Sequence, residues 1–210
     1  MSYLVNAHPV IEPSLLACDL GDLAGAIKYA ENSGIRRFHL DIMDGHFVKE
    51  ISFGHPVLRA IRQMTSSYLH AHLMVADPLS QIPSLMMAGA NALSFHYEAA
   101  PMAVSRGAHL IHQLGGHAGV AISPNTPVDV LFPYLASLDF VIVMSVMPGK
   151  CGQSFLPSSA EKVAALAECR AHTQGNFVIM VDGGINEVTR KMVPQADILV
   201  MGTHFFKNFN

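Results

Sequence analysis

Eight short apolar runs rich in β-branched residues alternate with stretches of helical periodicity, and this alternation restricts the fold more than any other feature. The runs are Val10–Ala17, Arg37–Ile42, Leu69–Val75, Ala92–His96, Ala118–Ile122, Phe140–Val146, Phe177–Asp182 and Ile198–Met201. Between them the spacing predicts helices over Leu23–Asn32, Pro56–Met64, Pro78–Ala88, Ala103–Leu114, Val128–Leu135, Ser158–Ala171 and Glu187–Val193. Gly34, Gly89 and Gly115 stand where helices should stop. Strands joined through helical crossovers pair in parallel, as an open doubly wound sheet or a closed (β/α)8 barrel. The barrel is favoured because unusual polar residues recur at the C-terminal ends of the first, second, third and seventh runs. A barrel gathers those ends around one mouth. After the eighth run only Gly202 to Asn210 remain, so a short or missing final helix is expected. Phe205, Phe206 and Phe209 would then form a sticky exposed end, which points to a homo-oligomer.

The 210 residues suffice for one domain with a large core, and no linker or low-complexity tract divides them, so a single barrel domain over 1–210 is expected. Half of the residues are hydrophobic and 14% are charged, which favours burial over disorder. A formal charge of −3 provides no basic surface for nucleic acid. No apolar run approaches the roughly 20 residues that span a bilayer. Residues Met1 to Pro9 show no basic segment leading into an apolar stretch, so no signal peptide is expected. Cys18, Cys151 and Cys169 are too widely spaced for a disulfide framework or a paired-ligand motif, which points to reduced thiols and a cytoplasmic setting.

The segment His39-Leu40-Asp41-Ile42-Met43 closes one of the buried runs. Alternation along a strand puts His39, Asp41 and Met43 on one face. His70, His72 and Met74 share a face in the next run, and Phe177–Asp182 ends in an Asp followed by Gly183 and Gly184. Imidazoles and carboxylates in a dry interior are costly unless something pairs with them, and a divalent metal would do so. His39, Asp41, His72 and Asp182 make a two-His, two-carboxylate set suited to one Zn(II), Fe(II), Mn(II) or Co(II) ion.

Taken with Pro13-Ser14-Leu15-Leu16-Ala17, His39 through Val48, His72-Leu-Met74 and Ala88-Gly-Ala90, these segments resemble the ribulose-phosphate 3-epimerase family of (β/α)8 barrels. The resemblance continues in order through Ser123-Pro-Asn-Thr-Pro127, Val143-Met-Ser-Val146, Pro148-Gly149, Gly152-Gln153, Val181-Asp-Gly-Gly-Ile185 and Gly202-Thr203. It implies a metal held by His39, Asp41, His72 and Asp182, with Asp41 and Asp182 also acting as the acid–base pair. It further implies that Ser14 and His72 contact substrate and that Met43, Met74 and Met144 line the site. The implied substrate is a phosphorylated ketose, by default D-ribulose 5-phosphate with D-xylulose 5-phosphate as its epimer. Two carboxylates on opposite faces of a planar intermediate permit inversion, and a metal stabilises the enediolate charge. Gly183, Gly184, Gly202 and Thr203, with Gly152 from the sixth loop, fit phosphate capture at the usual place in such barrels.

Two segments depart from the family pattern. The sixth loop reads Met147-Pro-Gly-Lys-Cys-Gly-Gln153, with Cys151 where the family has a glycine near phosphate and Lys150 beside it. A Cβ at Cys151 is expected to restrict the backbone. Lys49-Glu50-Ile51 stands where Pro-Asn-Ile is common, and Glu50 there could change which sugar is accepted. Asp44 and His46 read as loop-shaping residues. The open alternatives are the same chemistry on D-allulose 6-phosphate, an inactive sugar-phosphate-binding protein, and, more weakly, a decarboxylase on a related barrel.

Overall fold

The computed structural model describes residues 9–209. Eight parallel strands form one sheet: β1 (Val10–Pro13), β2 (Arg37–Met43), β3 (Tyr68–Met74), β4 (Ala92–His96), β5 (His117–Ile122), β6 (Phe140–Met144), β7 (Val178–Asp182) and β8 (Ile198–Met201). They pair in chain order from β2 to β8, and β8 pairs with β1. A parallel bridge between Ser14 and His39 joins β1 to β2 and completes the barrel. The helices α1 (Leu23–Asn32), α2 (His55–Met64), α3 (Pro78–Met87), α4 (Val104–Gln113), α5 (Ser159–Thr173) and α6 (Thr203–Phe206) alternate with them. Among the described residues, no helix is long and apolar enough to cross a membrane.

Several elements differ from the sequence expectation for identifiable reasons. The first run leaves the sheet after Ser14, and Leu15–Ala17 fold as a 3₁₀ turn. That turn packs Ala17 so closely on Gly202 that a Cβ there would lie 3.0 Å from the Ala17 Cβ. The segment between β5 and β6 is 3₁₀ over Val128–Ser137, not α-helical; Pro133 inside it has no N–H to donate. Between β7 and β8 the helix shrinks to a 3₁₀ turn, Thr189–Met192, because Pro194 disfavours helical geometry at Val193. The aromatic end is not exposed. Phe206 is fully buried, while Phe205 and Phe209 are half-buried with their ring centroids 6.1 and 5.4 Å from that of Tyr29 on α1. The short α6 therefore covers the barrel with its own rings, and these residues form no sticky end that would require a second copy.

The barrel interior is divided by chemistry. On the β5–β8 side it is apolar, with Ala121, Phe140, Ile142, Met180 and Val200 packed together. Gly119 admits the Phe140 ring, since a Cβ at that position would sit 2.1 Å from a ring carbon. On the β1–β4 side the inward positions carry Glu12, His39, His70, His72, Ser94 and His96, all with 0% exposure. A polar half-core of this kind is tolerated only if its groups are paired. They are: among the described residues, every buried side-chain nitrogen or oxygen has a hydrogen-bond partner.

Candidate active site

The C-terminal ends of β2, β3 and β7 bring His39, Asp41, His72 and Asp182 into one cluster, their potential ligand atoms all within 4.8 Å of one another. His39 Nε2 lies 3.3 Å from Asp41 Oδ1, 3.5 Å from Asp182 Oδ2 and 3.2 Å from His72 Nδ1. His72 Nδ1 lies 3.7 Å from Asp41 Oδ1 and 3.5 Å from Asp182 Oδ2. A tetrahedral shell with metal bonds of about 2.0–2.2 Å has edges of roughly 3.3–3.6 Å. The five separations above, 3.2–3.7 Å, lie close to those edges, so the cluster could hold a divalent ion.

Hydrogen-bond direction supports the same reading. His39 Nδ1 faces Glu12 Oε1 at 3.2 Å, and a carboxylate only accepts, so Nδ1 carries a proton and Nε2 is the atom this ring would offer a metal. His72 reaches outward through Nε2 to His96 Nε2 at 3.1 Å, and His96 Nδ1 donates to Glu98 Oε2 at 3.1 Å. Because Glu98 takes that proton, His96 Nε2 accepts from His72 Nε2, and Nδ1 is the atom His72 would offer a metal. Glu98 is anchored by the backbone N–H of Ser123 at 2.7 Å and by the Thr126 hydroxyl. Each histidine is thus held through its outer nitrogen by a carboxylate, His39 directly and His72 through His96, with the other nitrogen turned to the cluster.

Electrostatics agree. Burial works against charge on His39, but Asp41, Glu12 and Asp182 outweigh it and hold the imidazole well above its ordinary value. His72 is likewise raised, burial being overcome by Asp182 and Asp41. Burial would raise Asp41, yet His39 and His72 bring it far below the usual carboxylate range. Burial pushes His96 down, only partly offset by Glu98. Glu98 itself falls to about 2, since its bonds to His96, Thr126 and Ser123 outweigh desolvation.

Because both histidines are raised by the neighbouring carboxylates, protons and a cation compete for the same ring nitrogens. Metal uptake is expected to release protons, and affinity should rise with pH across the range where the raised histidines titrate. Titration calorimetry in buffers of different ionisation enthalpy measures this; a binding heat independent of buffer would contradict it. The sign for stability is opposite. Histidines raised by folding stabilise the metal-free fold fully below the unfolded value near 6.5, and that contribution is lost as pH climbs through the folded value.

Above the cluster opens a cavity of about 760 Å³. Asp41, Asp182, Met43, Met74 and Met144 line its inner end, with Ser14 beside them. Ser14 Oγ donates to Asp41 Oδ2 at 2.5 Å. Gly152, Gly183, Gly184, Gly202 and Thr203 line the other part of the cavity. Gly184 has φ +63°, and a Cβ there would lie 2.6 Å from the Phe155 backbone nitrogen, so this wall requires glycine. His39 and His72 are fully buried and do not line the cavity, which places His72 behind the carboxylates and not at the surface a substrate would touch.

Lys150 and Cys151 both line the cavity. Among the described residues the only non-glycine with positive φ is Gln174, so Cys151 occupies ordinary backbone space and the expected restriction does not arise. Glu50 is exposed and outside the cavity. Asp44 shapes its loop, accepting from the backbone of His46, Phe47 and Ala76 at 2.8, 2.9 and 2.8 Å. Sequence reasoning missed Glu12, Ser94, His96 and Glu98. The same two-residue alternation that singled out His39 and Asp41 places Glu12 on the face of Ser14, and Ser94 on that of His96.

Comparison with known proteins accords with this geometry. The Ribulose-phosphate 3 epimerase family matches residues 10–206. Ribulose-phosphate 3-epimerase of Treponema pallidum is 40% identical over 198 residues, covering 93% of this chain and 90% of the relative. That of Bacillus subtilis is 39% identical over 197 residues, covering 92% and 90%. That of Chlamydia muridarum is 36% identical over 202 residues, covering 94% and 88%. Among solved structures, the tryptophan synthase A-subunit of Pyrococcus furiosus superposes with TM-score 0.67 at 11% identity, covering 96% of this chain and 89% of that one. KGPDC from Streptococcus mutans superposes with TM-score 0.65 at 18% identity, covering 92% and 87%. At those identities the structural likeness speaks for the barrel alone. The sequence matches span the whole barrel, and the chain belongs to the ribulose-phosphate 3-epimerase family of carbohydrate isomerases.

Proposed function

We propose that this protein interconverts a ketose phosphate and its C3 epimer, with D-ribulose 5-phosphate and D-xylulose 5-phosphate as the pair. The observation that carries the reading is the pair of carboxylates, Asp41 and Asp182, reaching from strands on different parts of the barrel into one cation-ready cluster at the base of the cavity. His39, Asp41, His72 and Asp182 would hold one divalent ion. When bound, that ion supplies positive charge that stabilises the negative charge developing on substrate oxygen during proton removal.

The proton transfers belong to the carboxylates. Asp41 reaches the cavity as a carboxylate, and the Ser14 hydroxyl donates to its second oxygen and fixes its direction. A carboxylate on each face lets one group take the C3 proton and the other deliver one to the opposite side. Met43, Met74 and Met144, each at most 4% exposed, surround the reacting carbons without offering an exchangeable proton. They also keep the pocket low in dielectric, which strengthens each charge interaction inside it. Backbone N–H groups of the glycine wall suit the phosphate, whose usual position in such barrels is after the seventh and eighth strands. Cys18, Cys151 and Cys169 are free thiols, which supports a reducing, cytoplasmic setting.

The test is hydrogen exchange at C3 of D-ribulose 5-phosphate in D₂O, with protein reconstituted separately with Zn(II), Fe(II), Mn(II) and Co(II). Exchange accompanied by xylulose 5-phosphate is the expected result. Neither signal with metal bound would move the assignment to another ketose phosphate, D-allulose 6-phosphate first. Neither signal and no metal would favour a sugar-phosphate-binding protein.

A further inference from the structure

We propose that Glu12 is a positioning residue for the metal centre, one that sets the tautomer and direction of His39 from beneath the barrel floor. The proposal rests on the functional reading above, because it concerns how the chain presents its ligands to the ion.

Glu12 is the inward carboxylate of β1 and has no exposure. Its Oε1 accepts from His39 Nδ1 at 3.2 Å and from His70 Nδ1 at 2.7 Å. Its Oε2 accepts from Arg37 Nε at 2.5 Å. His70 is oriented in turn by Ser94 Oγ, 2.9 Å from its Nε2, and packs edge-on against Phe140. The carboxylate is thus bound on both oxygens by residues of β2 and β3, and it is separated from the cavity by the His39 ring.

A carboxylate in this position is not needed to fill space. The other half of the interior is filled by Ala121, Ile142, Met180 and Val200, and apolar side chains are the cheaper solution for a barrel core. What Glu12 adds is direction. With the Nδ1 proton of His39 committed to Oε1, Nε2 carries the lone pair and the ring is held between carboxylate and cluster. Such a partner raises the basicity of a metal-ligating imidazole, and its loss typically lowers metal affinity about 10- to 100-fold. The two ligand histidines differ here: His72 reaches Glu98 only through His96, whereas His39 meets its carboxylate directly.

The experiment compares wild type, Glu12→Gln and Phe206→Ala for Zn(II) and Co(II) affinity by chelator competition, for the Co(II) absorption spectrum, and for thermal unfolding without metal. Phe206 sits in the apolar core with its ring against Phe205 and Phe209, outside the cluster, so it reports what lost stability alone does to binding. Glu12→Gln should lower metal affinity by about 10- to 100-fold and change the Co(II) spectrum. Phe206→Ala should lower stability and keep both affinity and spectrum. Folded Glu12→Gln protein with wild-type affinity and spectrum overturns the proposal, as does a loss of affinity that simply follows stability in both variants. Should Glu12→Gln not fold, the ring ¹⁵N shifts of His39 in metal-loaded wild type decide: a proton on Nδ1 supports the proposal, and a proton on Nε2 overturns it. Wild type that binds no metal overturns the functional reading first, and the role of Glu12 with it.

Discussion

Asp41→Asn and Asp182→Asn are each expected to lower epimerisation by about 10²–10⁴-fold or more in metal-loaded protein, while the fold is retained. Asn has the shape of Asp, and its side-chain oxygen can still accept the Ser14 hydroxyl that now bonds Asp41. What it lacks is a site for the transferred proton. With one carboxylate gone, the remaining one can still remove and return a proton on its own face. Each variant should therefore retain C3 exchange in D₂O with one epimer and lose it with the other, and the two variants should prefer opposite epimers. Both residues also belong to the cation-ready cluster, so metal content must be measured on the same samples. Activity falling only in proportion to metal would reassign both groups to metal binding. Near-wild-type turnover in a fully metallated variant would remove them from the proton transfer altogether.

The barrel was legible because the alternation of strand and helix leaves few topologies, and because the polar residues fall at one end of the strands. The cluster was legible for a related reason. His39 and Asp41 are two residues apart, so strand geometry alone puts them on one face; His72 keeps the same alternation with His70 in the third run, and Asp182 ends the seventh. Glu12 was not legible as a partner of His39, because its contacts with Arg37, His39 and His70 span 25, 27 and 58 residues of chain. In sequence it is one acid in a four-residue strand. His96 and Glu98 depend on the turn after β4, where the chain enters a 3₁₀ segment and leaves the strand period that would have related them. The helical runs between β5 and β6 and between β7 and β8 failed at prolines, whose effect on helix type depends on tertiary contacts that periodicity does not report.

Phe206→Ala is expected to be the most destabilising single truncation in the C-terminal segment, costing about 3–5 kcal/mol. The helix that carries Phe206 is four residues long, and a single turn of helix has no stability of its own in water. Its position must come from burial. Phe206 supplies that, being fully buried in the main core, with its ring edge-on to Phe205 at 5.0 Å and to Phe209 at 6.2 Å. Those two rings in turn hold Tyr29, which ties the last helix to the first. For a chain of this size the loss corresponds to roughly 6–20 °C in melting temperature. Phe205→Ala removes a half-buried ring and should cost less. The consequence extends to the cavity, because Gly202 and Thr203 stand at the start of the same helix and line the wall assigned to phosphate. Loosening α6 should therefore raise KM for the phosphorylated sugar more than it lowers kcat, since the carboxylates at the inner end are held by other strands. Unfolding curves and steady-state kinetics on the two variants test both parts. A Phe206→Ala protein that melts with wild type would mean that the barrel closes without its last helix, and the glycine wall would then owe its shape to β7 and β8 alone.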